Sequence, residues 1–303
     1  VFMYDNYVTG TIPNVYTNLY NMEQMYLNGN LLSGTIPTLI GNNIFTQFLA
    51  VDNNMLTGTI PYSISTMTYL IVLFVQQNHL TGTLEHVFNR TLQLELATVV
   101  LNNNQFTGTL PVELFNLYNL NSFSGVSNCF TGDFPANMCN ATKLSSLALD
   151  GLTSASTCRN TLFPGLSSAY VVTSRVGTTI PECLLQMPIL TTLHLSGNGL
   201  TGTLPDTRLS PLLIDLALSH NVLTGTIPAQ YQRRQWYNLD LSYNRFAGSL
   251  HSDFQSQILN DTFYEHLSHI IGINITQDTA QSSLSLENNR LSGQIPQSLQ
   301  AKR

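Results

Sequence analysis

A phrase of five residues returns at almost every turn of this chain and leaves little freedom in how it can fold. Thr-Gly-Thr-Ile-Pro stands at 9–13, and close copies stand at 33–37, 57–61, 107–111, 131–135, 201–205, 224–228 and 292–296. At 81–85 Glu85 replaces the proline, and at 247–250 the phrase reads Ala-Gly-Ser-Leu. Before each copy stands an alternating apolar run that ends in asparagine, as in Leu193-His194-Leu195-Ser196-Gly197-Asn198. The recurring residues are Asn6, Asn30, Asn54, Asn78, Asn104, Asn128, Asn198, Asn221, Asn244 and Asn289, mostly 23 or 24 apart, with a step of 26 from Asn78 to Asn104. Such a chain grows by stacking coils, so its 303 residues do not imply two globular domains.

Each part of the unit LxxLxLxxNxLTGTIP has a physical task. The LxL segment alternates with period two, which predicts a short strand with its leucines inward. The asparagine carries donors and an acceptor, so it can bond the backbone where the coil turns in, and a column of them can satisfy the turns of neighbouring coils. Glycine permits a backbone geometry that a side chain would strain. Proline fixes its own backbone angle and opens the outer segment.

These residues resemble the plant-type subclass of leucine-rich repeats over nearly the whole chain. The resemblance implies an α/β solenoid, a right-handed superhelix with a concave parallel β-sheet, short lateral second strands and a convex side of mainly 3-10 helix and loop. It implies one solenoid over 1–303, of about 12 coils. The family's cysteine-bearing amino-terminal cap is absent, and Val1 falls inside a repeat, so a fragment or processed chain is expected. Either the chain continues or neighbouring subunits cover the ends of the solenoid.

Two stretches break the pattern. In 140–189 Leu144, Leu147 and Leu149 hold inward positions, but Asp150-Gly151-Leu152 replaces the asparagine turn and a degenerate coil follows. Cys129, Cys139, Cys158 and Cys183 lie in or beside it. No CxxC pair points to zinc, so disulfides are expected. Three connectivities exist, and Cys129 with Cys139 and Cys158 with Cys183 is the working expectation. The second break, 253–281, reads as an insertion or a degenerate coil.

Composition narrows the function classes. Only 9% of residues are charged and the net charge is −6, with no basic stripe for a nucleic-acid partner. No apolar run is long enough to span a bilayer. Four glycosylation sequons, at Asn89, Asn140, Asn260 and Asn274, join the even cysteine count in pointing to an extracellular or cell-surface protein. His266 and His269 beside Glu265 lack a third ligand, so no metal or other cofactor is expected. No nucleophile elbow or phosphate loop is present, so no enzyme is expected either.

Two surfaces remain as working faces. The outward side of the sheet is the expected ligand-binding face. In the first coils it offers Tyr4, Tyr26, Phe48 and Phe74 beside Asn28, Asp52, Gln76 and Asn102. Rings stack on sugars or apolar groups and amides meet hydroxyls or backbone, so the expected ligand is a protein or glycan. Later coils offer Tyr170, His194, Asp215, His220, Asp240 and Tyr243 instead. The second surface is the lateral column of Thr11, Thr35, Thr59, Thr83, Thr109, Thr203 and Thr226, with another threonine before most of the glycines. Such Thr-x-Thr arrays resemble ice-binding faces, although cross-strand packing of threonine accounts for them as well. A recognition or scaffold protein is therefore the leading expectation. A structural subunit of an extracellular assembly and an ice-binding protein are the alternatives.

Overall fold

The computed structural model describes residues 1–155, 158, 179–252, 254 and 283–300. Its spine is a ten-stranded parallel sheet of three-residue strands stacked in chain order, from Gln24–Tyr26 to Ser283–Ser285. The middle residue of each strand points into the core: Met25, Leu49, Leu73, Val99, Phe123 and Leu147 are almost completely buried. Convex segments are 3-10 turns such as Asn14–Asn18, Tyr62–Thr66 and Val112–Asn116, each entered through a proline. Three four-residue helices, Glu182–Leu185, Ala229–Gln232 and Gln297–Gln300, take the same place later in the chain.

The asparagine column satisfies the turns. Asn54 Oδ1 accepts the Leu32 amide at 3.0 Å, while its Nδ2 donates to the carbonyls of Leu27 and Val51. Asn78 and Asn104 repeat the pattern toward Leu56 and Leu80. Each side chain is buried yet fully bonded, and each ties its own coil to the preceding one. The residue before it adopts a left-handed conformation, as at Asn53 and Asn103.

The lateral phrase forms the expected short strands, among them Thr9–Thr11 with Leu31–Ser33 and Ala247–Ser249 with Arg290–Ser292. The glycine here meets two demands at once. Gly82 has φ +80, and a Cβ on it would stand 2.6 Å from Thr59 Cγ2 of the previous coil. The threonine methyl thus fills a slot that only glycine leaves open. The threonine before the glycine has its own partner: Thr57 Oγ1 donates to the Gly34 carbonyl at 3.2 Å and Thr224 Oγ1 to that of Gly202 at 3.1 Å.

The sheet runs straight across both breaks in the pattern. Ser146–Ala148 pairs directly with Thr192–His194, and Asn238–Asp240 with Ser283–Ser285. Asn198 reaches back to the Leu152 amide, and Asn289 to that of Phe246, so the asparagine column also closes over the gaps. Most of 253–281 lies outside the described residues.

The disulfide expectation needs correction. Cys129 bonds Cys158, with Cα atoms 5.5 Å apart, and Cys139 bonds Cys183, at 6.0 Å. Cys129 directly follows the inner turn at Asn128, whereas Cys139 sits in the convex turn Met138–Asn140 of the same coil. A disulfide requires Cα atoms within about 7 Å, which neighbouring coils provide and opposite sides of one coil do not. Stacking, not nearness in sequence, selects the partners.

Candidate ligand-binding face

Strand register sorts the outward side chains into columns. Counting back four residues from each asparagine gives Phe2, Tyr26, Ala50, Phe74 and Val100, then His194, Ala217 and Asp240 further on. Phe48 belongs to the column beside it, aligned with Gln24 and Val72. Asn28, Asp52, Gln76 and Asn102 line a third column, linked by backbone bonds such as Gly29 N to the Asp52 carbonyl.

In the first coils the rings converge. Phe2 stacks on Tyr26 with centroids 5.4 Å apart, Tyr26 stacks on Phe48 at 6.3 Å, and Tyr4 meets Tyr26 edge-on at 6.3 Å. Phe74 stands apart, with Ala50 between it and Tyr26. Asn28 Oδ1 and Gln76 Oε1 are shielded from solvent and accept no hydrogen bond from the described residues. Shielded acceptors of this kind carry a desolvation cost that a ligand donor would remove. The other two polar residues of this column are engaged internally. Asp52 is buried and accepts from Asn53 Nδ2 at 2.7 Å, and burial outweighs that bond in raising its pKa. Asn102 Oδ1 accepts from Ser124 Oγ and the Val126 amide, which holds it to the next coil.

Later coils display acid and imidazole in the same columns. His194 Nε2 lies 2.8 Å from Asp215 Oδ1, and its Nδ1 lies 3.6 Å from Asp150 Oδ2. Burial pushes the imidazole pKa down, but the hydrogen bond to Asp215 and the charges of Asp215, Asp150 and Asp240 together hold it above the ordinary value. Burial also raises Asp150, against the pull of His194 and the Ser196 amide. Next to this cluster His220 stacks on Tyr243 at 4.2 Å. Both have positive φ, 54° and 51°, at the position that glycine or asparagine fills in several other coils. A left-handed backbone costs such residues about 1–2 kcal/mol, so their rings are held where they are at an expense to stability.

Sequence reasoning missed Phe2, which its distance of four residues from Asn6 places in the column of Tyr26, whereas Tyr4 aligns with Asn28. It also missed the His220–Tyr243 stack, which depends on a backbone conformation that composition does not announce. Tyr170, Asn260, Asn274, Glu265, His266 and His269 lie outside the described residues. Among those described, no cluster of three or more His, Cys, Asp or Glu could hold a metal, and no helix is long and apolar enough to cross a membrane.

A Leucine Rich Repeat family model matches residues 190–207 and 282–301. No curated protein matches the sequence. Among solved structures, the plant peptide hormone receptor RGFR1 in complex with RGF2 superposes with a TM-score of 0.74 at 26% identity, over 98% of this chain and 42% of that one. A TDR receptor matches with a TM-score of 0.74 at 25% identity, over 97% of this chain and 44% of the other. A plant ice-binding protein matches over 97% of this chain and 81% of its own, with a TM-score of 0.67 at 20% identity, a likeness of fold alone. The chain thus spans about two fifths of the receptor structures it resembles.

Proposed function

Because the chain is a plant-type leucine-rich-repeat protein, we propose that it is an extracellular, non-enzymatic recognition protein that binds an extended peptide or a glycan across its concave face. The observation that carries this reading is the ring cluster of Phe2, Tyr26 and Phe48 beside the unpartnered acceptors of Asn28 and Gln76. Rings supply apolar contact with few rotatable bonds, and rotation of the Asn28 and Gln76 side chains toward a ligand would give their shielded acceptors amide or hydroxyl protons. The resemblance to a receptor solved with its peptide adds support, as do two disulfides of the sort that persist outside the cytosol.

The test is selection of random peptides by display and a parallel glycan array, with wild type and a Tyr26→Ala/Phe48→Ala variant compared. Ligands enriched by wild type should be lost by the variant at unchanged melting temperature. Equal enrichment by both proteins would refute the reading.

The lateral flank supports a second reading, ice binding. Thr11, Thr35, Thr59, Thr83, Thr109, Thr203 and Thr226 are all exposed, in columns whose spacing is that of the coils, about 4.8 Å. Their methyls seat on the next glycine, which leaves the hydroxyls for water. Of the threonines before glycine, Thr57, Thr81, Thr131 and Thr224 donate to the glycine carbonyl of the preceding coil, which removes those protons from the array as a donor surface. Thermal hysteresis with shaped ice crystals would uphold this reading, and its absence would end it.

A further inference from the structure

One turn of the convex flank departs from the regular coil. From Ile60 to Leu70, and again from Leu110 to Leu120, the chain passes between two buried core positions in ten steps, whereas from Leu84 to Leu96 it takes twelve. Glu85 stands where proline opens other coils, and His86 has φ +63. The enlarged turn contains Asn89-Arg90-Thr91, a sequon. The turn is anchored from below: Gln93, fully buried, donates from Nε2 to the Ile64 carbonyl and accepts the Asn89 amide at 2.9 Å.

The bonding of Asn89 leaves one atom available. Its Oδ1 accepts both the Thr91 amide, at 3.0 Å, and Thr91 Oγ1, at 2.7 Å, while its Nδ2 donates to no described residue. Asn140, the other described sequon asparagine, instead directs Nδ2 toward Asn116 Oδ1 at 3.4 Å. Beside the turn opens a hollow of about 570 Å³ lined by Gln47, Tyr69, Thr91, Leu92, Leu94 and Glu95. Tyr69, Leu92 and Leu94 are 49%, 39% and 52% exposed, an apolar surface that the described residues cover only in part.

We propose that Asn89 carries an N-linked glycan whose first sugars lie in this hollow, over Tyr69, Leu92 and Leu94. The inference rests on the extracellular reading above. Asn89 Nδ2 would form a bond to the anomeric carbon of a polyprenyl-pyrophosphate-linked oligosaccharide, losing one proton as the pyrophosphate carrier departs. The linked amide keeps its other Nδ2 hydrogen and both bonds of Oδ1. The apolar face of a sugar suits the Tyr69 ring, and its hydroxyls find Gln47 and Glu95 at the rim. A glycan here closes this flank to protein partners and leaves the concave face open.

The experiment is secretion of the full chain from eukaryotic cells, enzymatic deglycosylation in oxygen-18 water and site-resolved mass spectrometry. Hydroxyl-radical footprinting of Tyr69, Leu92 and Leu94 runs alongside. Asn89 should be modified in wild type and Thr91→Ser and unmodified in Thr91→Ala. Oxidation of the three residues should rise several-fold in Thr91→Ala but not in Thr91→Ser. An unmodified Asn89 on a chain modified at other sequons overturns the proposal alone, and a secreted chain modified at none overturns the extracellular reading with it. A modified Asn89 with oxidation equal in all three proteins also overturns the proposal.

Discussion

The two halves of the concave face share one lattice and display different chemistry on it. Around Tyr26 the outward columns carry stacked rings and unpartnered amide acceptors; around His194 they carry carboxylates and an imidazole that satisfy one another. Underneath, Leu73 and Leu195 are equally buried, and Asn104 and Asn221 make the same bonds to the coil before. Outward positions lie outside the shared hydrophobic core, so they vary while the inward ones repeat. The contrast separates residues that make the rod from residues that can make it selective.

The common lattice is the first part of this contrast to challenge, since its loss has the largest effect. Leu73→Ala and Leu195→Ala should each cost about 2–5 kcal/mol, because both leave cavities among fully buried neighbours. Denaturant melts read this directly, and a large cost in one half with none in the other would break the equivalence. Asn104→Ala and Asn221→Ala should follow at about 1–3 kcal/mol each, since each leaves a buried amide and buried carbonyls without their partner.

Substitutions on the outward columns should separate the halves. Tyr26→Ala/Phe48→Ala removes two half-buried rings outside the core, so melting should shift little while ligand capture falls at least about tenfold, the scale of a modest binding hot spot. His194→Gln should give the smallest effect, confined to the later half and dependent on pH. The folded-state pKa of His194 is raised, so its stabilisation is complete below the unfolded value, about 6.5, and is lost as pH rises through the folded value. The difference in melting temperature between wild type and variant should therefore be larger at pH 6 than at pH 8. A difference that grows with pH would reverse the assigned role of Asp150 and Asp215.

How much of this was legible in the sequence follows the same division. The solenoid, its parallel sheet, the lateral strands and the 3-10 convex side are all carried by local repeats, where each residue's task recurs in every coil. Disulfide pairing was not legible, because Cys139 meets Cys183 only after coils stack and a sequence separation of 44 is bridged. Nor was the internal engagement of Asp52 and Asn102, whose partners are fixed by side-chain direction and not by spacing. Asn28 and Gln76 share their column with those two yet leave shielded acceptors without a partner, a distinction that sequence columns alone cannot draw.

The most direct test of a shared lattice with a selective first half is amide hydrogen exchange, with and without a peptide recovered by display. Protection should concentrate on residues 24–28, 48–52 and 72–76, with the strands around 194 and 217 unchanged. Protection confined to the lateral segments 9–11, 33–35 and 57–59 would contradict the assignment of recognition to the concave face.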